Sequence, residues 1–113
     1  MKDRELLEFA AKAVGIELIC NDHGEFGYYD MFRDHLPQWN EWNPLTDDGD
    51  ALRLAVKLDM IITSKSKHGT SAVLHDDLGG KWLIDNKEQH NGDPYAATRR
   101  AIVRAAAAIG AEI

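Results

Sequence analysis

The amino-acid order predicts an α+β fold, with three helices and a small, mostly antiparallel sheet. Three observations carry this. Apolar residues recur at helical spacing near the start, middle and end of the chain. Short β-prone segments lie between these stretches, and brief Gly- or Asn-containing turns separate them, which suits hairpins rather than long crossovers. A chain of 113 residues has room for one core, so residues 1–113 read as a single domain.

Asp3 is placed to cap a helix over about Arg4 to Val14, with Leu6, Leu7, Ala10, Ala11 and Val14 as its apolar face and Gly15 as its stop. Ile16-Glu17-Leu18-Ile19-Cys20 reads as a short strand, Asn21-Asp22-His23-Gly24 as a turn, and Phe26 to Phe32 as the partner strand of a hairpin. From Arg33 to Glu41 polar residues surround Leu36, Pro37 and Trp39, and the expectation is loop.

Trp42-Asn43-Pro44-Leu45-Thr46-Asp47-Asp48-Gly49-Asp50 then fixes the approach to a second helix. Pro44 keeps Asn43 out of the helical region. Thr46 or Asp47 can accept from the first-turn amides, and Asp47, Asp48 and Asp50 suit the positive end of the helix dipole. The helix itself is apolar at 51, 52, 54, 55, 56 and 58, with Arg53 and Lys57 marking its solvent side. So wide an apolar face implies packing against a sheet or between layers.

Met60 to Ser64, Ser71 to His75 and Lys81 to Asp85 are strand candidates. Lys67-His68-Gly69 and Asp77-Leu78-Gly79-Gly80 punctuate them, the pattern of an antiparallel meander. Glu88 to Gly92 reads as polar loop. Asp93-Pro94 opens the last helix, with Asp as cap and Pro at the first helical position. That helix runs to about Ile109 and Gly110 ends it. Tyr95, Thr98, Ile102, Ala105, Ala106 and Ile109 form its stripe, and its alanines allow close approach to whatever it covers.

Composition narrows function. Hydrophobic content of 44% and charged content of 28% are ordinary for a soluble globular protein. No apolar run nears the roughly 20 residues that span a bilayer, and the N-terminus shows no signal-peptide core. A lone cysteine, Cys20, leaves no internal disulfide and fits a reducing cytoplasm. The net charge of −6 argues against general nucleic-acid binding, which rests on phosphate neutralisation. Residues 21–50 hold eight acids against one base, Arg33, whereas Arg99, Arg100 and Arg104 outweigh Glu112 from 95 onward.

Two stretches, Trp42-Asn43-Pro44 with Asp48-Gly49-Asp50-Ala51-Leu52-Arg53-Leu54-Ala55-Val56-Lys57-Leu58, and Ala96-Ala97-Thr98-Arg99-Arg100-Ala101-Ile102-Val103-Arg104-Ala105-Ala106-Ala107, resemble the phage ABA-sandwich domain family of small tailed-phage and prophage proteins. There a Trp-Asn-Pro turn leads into a helix, strands follow, and an Ala-rich helix closes the chain. The resemblance covers residue 42 onward and extends to the N-terminal helix; residues 20–41 lie outside it. It implies an α-β-α layered sandwich and a phage or prophage gene acting in the bacterial host cytoplasm. It implies no catalytic residues.

Site chemistry is sparse. Asp47-Asp48-Gly49-Asp50 lacks the alternating oxygens and later Glu of a calcium loop, so capping is the favoured role. Histidines 23, 35, 68, 75 and 90 have no Cys partners at zinc spacing and read as surface residues. No metal site and no cofactor is expected. Cys20 reads as a small buried hydrophobe rather than a nucleophile. Trp42 reads first as a core anchor and second as a stacking platform, while Tyr28, Tyr29 and Trp39 would point to binding if exposed. Arg99, Arg100 and Arg104 are the best anion-site candidates, against a role solvating the helix or pairing with the acidic half.

The ligand-binding candidates are therefore Arg99, Arg100, Arg104, Trp42, Tyr28 and Tyr29. The expected function is binding rather than catalysis: counter-defence by sequestering a nucleotide-type signal or a host protein, with a homo-oligomer assembling through the last helix. The alternatives are a small metal-dependent nucleotide-processing enzyme or a purely structural protein.

Overall fold

The computed structural model describes residues 2–31, 36–65, 69–75, 82–88 and 91–113; at 31, 64–65, 70–75 and 82–88 the description covers backbone alone. The elements are α1 (Asp3–Ala13), β1 (Ile19–Cys20), β2 (Phe26–Met31), β3 (Pro37–Glu41), α2 (Asp48–Lys57), β4 (Ile61–Lys65), β5 (Gly69–His75), β6 (Trp82–Glu88) and α3 (Pro94–Gly110). The fold is α+β with three helices, and its described strands form two antiparallel three-stranded sheets, β1-β2-β3 and β4-β5-β6.

Helix ends follow local chemistry closely. At the end of α1, Ile16 N–H donates to Ala11 O and Gly15 N–H to Lys12 O, with Gly15 at φ 75°. That is the pairing that lets a left-handed residue satisfy the last carbonyls. The same closure ends α2, where Met60 N–H reaches Ala55 O and Asp59 N–H reaches Val56 O. There the left-handed position, φ 53°, is held by Asp59 rather than glycine. Asp47 and Asp93 cap α2 and α3, accepting from Asp50 N–H at 2.8 Å and Ala96 N–H at 3.0 Å.

Asp3 departs from its expected capping role. Lys2 occupies the cap position, and Asp3 is the first helical residue, its carboxylate taken by Arg100 at 2.9 Å. Gly110 departs from its expected stop role, since the helix continues through it to an α-helical cap at Ala111. A Cβ at Gly110 would overlap the carbonyl of Phe9. The residue is small because α1 crosses there.

α3 packs against α1, α2 and the β4–β6 sheet. Ala97, Ala101, Ile102, Val103, Ala105, Ala106 and Ala107 are all buried, so the helix is covered almost all round rather than along one stripe. Tyr95, placed on that stripe by spacing, is 70% exposed. Leu6, Leu7, Ala10 and Ala11 of α1, Ala51, Leu54 and Ala55 of α2, and Trp42 complete the core. α2 buries less than its composition predicts: Leu52 and Val56 share its solvent side with Arg53 and Lys57.

The meander is present, Ile61 opposite Val73 and Thr70 opposite Glu88 marking its register. Its expected turns at 67–68 and 77–80 lie outside the described residues, and Gly69 belongs to β5. The expected loop at 33–41 is corrected: Pro37–Glu41 is a strand paired with β2, Trp39 opposite Tyr29. Pro37 is tolerated because β3 is an edge strand and Pro is its first residue.

Candidate functional site

The Trp-Asn-Pro turn is a closed hydrogen-bond network. Asn43 Oδ1 accepts from Leu45 N–H, and Asn43 O accepts from Thr46 and Asp47 N–H. Asp50, 8% exposed, accepts from Asn43 N–H at 2.9 Å and from Arg53 at 2.7 Å. Arg99 reaches in from α3, donating Nε to Leu45 O at 2.8 Å and Nη1 to Asp48 at 2.7 Å. Every acid of the Asp-Asp-Gly-Asp run thus has a structural partner. Among the described residues no group of three or more His, Cys, Asp or Glu is arranged to hold a metal ion.

The six residues singled out by sequence do not converge. Trp42 is buried, and its backbone N–H donates to Phe26 O at 2.8 Å. Arg99 clamps the turn, Arg100 ties α3 to Asp3, and Arg104 lies on the exposed side of α3. Tyr28 is half-buried against the core, whereas Tyr29, one residue on, faces the other side of the sheet and is 54% exposed. Cys20 is exposed rather than buried, because the two-residue β1 has no covered face. His23 sits exposed in the β1–β2 turn; His35, His68 and His90 lie outside the described residues.

What the fold does assemble is the outer face of β2 and β3. Tyr29 and Trp39 are opposite each other, ring centroids 5.1 Å apart and edge-to-face at 60°. Gly27 lies two residues before Tyr29, opposite Glu41, and a side chain there would meet the Trp39 ring and Asn40 O. Glycine therefore seats the indole. Trp39 Nε1 is buried without a hydrogen-bond partner among the described residues, a cost of about 1–3 kcal/mol.

Beside the aromatic pair lies a pair of acids. Glu25 and Glu41 lie on the same face as the rings, diagonal neighbours across the ribbon. Hydrogen bonding to Glu25 and its charge hold the Glu41 carboxyl above the usual carboxylate range, with Asp50 adding to the effect. Glu25 is held below that range by the bond from Glu41 and by Asn21, whose amide donates at 3.0 Å. A groove of about 590 Å³ opens alongside, lined by Glu25, Phe26, Glu41, Asp47, Asp50 and Arg53. Arg53 is committed to Asp50, whose carboxylate raises the guanidinium pKa further.

No family model, curated protein or solved structure matches this chain.

Chemically, the arrangement offers aromatic ring faces beside acceptor oxygens and excess negative charge. Ring faces with carboxylates are complementary to a cation. Composition marks this region through its acids and aromatics, yet the Glu25–Glu41 pairing depends on the β2–β3 register, which periodicity does not reveal.

Proposed function

We propose that the chain is a phage or prophage accessory protein that acts in the host cytoplasm by binding, its target a host protein presenting a cationic segment. The phage origin rests on the two stretches that resemble the ABA-sandwich family. The observation that carries the binding mode is exposed Tyr29 set edge-to-face against half-buried Trp39, beside the acids Glu25 and Glu41. A Lys or Arg side chain laid on the rings would place its charge near carboxylates in a region of net charge −7 over residues 21–50.

A nucleotide-type signal is the weaker reading. Arg99 and Arg100 are occupied by Asp48, Leu45 and Asp3, and the acidic half repels phosphate. No helix among the described residues is long and apolar enough to cross a membrane.

The test is calorimetric titration of the purified protein with Lys- and Arg-rich peptides, and separately with nucleotides. Peptide binding should weaken about 30-fold or more in Tyr29→Ser, the loss typical of an aromatic hot spot. Nucleotide binding that survives Tyr29→Ser and is lost in Arg104→Glu would replace this reading.

A further inference from the structure

A second exposed surface, apolar rather than acidic, lies on α2 and β4. Leu52 and Val56, one turn apart on α2, are 61% and 67% exposed, and Ile61 at the start of β4 is 46% exposed. A groove of about 540 Å³ runs between α2, β4 and the first turn of α3, walled by Leu52, Ile62, Tyr95 and Ile102, with Asp48 and Arg99 at its margin. Among the described residues β4 ends its sheet, hydrogen-bonded there to β5 alone, and its pairing shows no register shift. Natural edge strands are usually blunted by Pro, bulges or inward charges. β4 has neither Pro nor a bulge, and a charged residue only at its last position, Lys65.

We infer that this lateral face docks a second copy of the chain about a two-fold axis, β4 antiparallel to β4 of the partner and α2 against α2. Three features select that occupant. A two-fold axis at Thr63 pairs the strand with itself over its whole length, so edge and apolar patch match without further design. Antiparallel α2 helices set the start of one beside the end of the other, with opposed dipoles. Local charge is mixed here, so the overall −6 is not concentrated at the contact.

Area sets the strength. Leu52, Val56, Ile61 and Tyr95 offer on the order of 400 Å² of exposed apolar side chain, about half of the ~800 Å² per partner in a standard interface, and the strand edges add to it. That predicts a reversible, concentration-dependent dimer rather than an obligate one. α3 is not available for the role, because Ala101, Ala105 and Ala106 are fully buried within the monomer.

Sedimentation of the wild-type protein from about 1 μM to about 1 mM spans the affinities such a contact allows. A doubling of mass across that range is expected. Leu52→Asp with Val56→Asp should weaken association at least ~30-fold while circular dichroism and melting stay near wild type, since both side chains are exposed. Tyr29→Ser should dimerise normally. In a Cys20→Ser background, Thr63→Cys should form an intermolecular disulfide across the axis. A monomer at the highest concentration overturns the inference, as does a dimer indifferent to the Leu52 and Val56 changes. A monomer whose paired variant loses function in infected cells also overturns it, giving the face to a foreign protein.

Discussion

Arg99 and Asp48 stand 51 residues apart in the chain and 2.7 Å apart in the fold. The same guanidinium donates to Leu45 O, so one side chain joins the closing helix to both the Trp-Asn-Pro turn and the start of α2. Arg99→Ala should cost about 1–3 kcal/mol, because the part-buried Leu45 carbonyl loses its partner. Asp48→Asn should cost only about 0–1 kcal/mol, its carboxylate being 70% exposed. Urea denaturation of both variants reads the difference; equal losses would mean the ion pair, not the backbone bond, carries the clamp.

Trp42 is an anchor rather than a platform. It is 6% exposed and packs with the buried cluster of all three helices. Trp42→Ala should cost about 3–5 kcal/mol, whereas Tyr29→Ser should leave melting nearly unchanged. A Trp42→Ala variant as stable as wild type but unable to bind would reverse the two roles.

Two glycine exchanges should have opposite signs to ordinary helix expectation. In an open helix Gly→Ala stabilises by up to about 1 kcal/mol, but Gly110→Ala drives a methyl into the Phe9 carbonyl and should destabilise by about 1–3 kcal/mol. Asp59→Gly removes a left-handed Asp and should stabilise by up to about 1 kcal/mol. Thermal melts of the two variants check both signs.

Features set by near neighbours in the chain are the ones that residue order reveals. Asp47 and Asp93 accept from amides three residues on, and Gly15 donates to a carbonyl three residues back, so their roles are legible from order alone. Gly110 is the same residue type doing a different job, and only the crossing of α1 distinguishes it from a stop. β3 has no apolar alternation of its own; Tyr29 opposite Trp39 makes it a strand. Leu52 and Val56 look like core by type, but the buried face of α2 is Ala51, Leu54 and Ala55, which leaves them outside. Tyr29 is legible as an aromatic in the acidic half, but Glu25 and Glu41 become a pair only through the β2–β3 register.

The capping role of the acidic run makes a prediction about metal. Asp47→Ala removes the acceptor of Asp50 N–H and should cost about 0.5–2 kcal/mol. Calcium and magnesium should leave wild-type melting unchanged, since Asp47, Asp48 and Asp50 already serve Asp50 N–H, Arg99, Asn43 and Arg53. A saturable rise in melting temperature with either ion would reassign the run to metal binding.

The Glu25–Glu41 pair predicts a pH dependence of binding with a definite sign. In the free protein Glu41 holds its proton to above the usual carboxylate range and Glu25 loses its proton below it. For stability the two shifts oppose. Glu25 contributes stability that is lost as pH falls through its lowered pKa, and Glu41 contributes stability that is lost as pH rises through its raised pKa. Their sum should be small at either side of the window. Binding is different, because a cation displaces the Glu41 proton and so favours the doubly ionised pair. Affinity for a Lys-rich peptide should rise as pH climbs through the upper step and then level. Glu41→Gln should remove that rise, while melting changes little because the side chain is exposed. Carboxyl-resolved NMR titration should show two steps, one on each side of the ordinary range; a single step shared by both acids would dissolve the pair and the pH dependence with it.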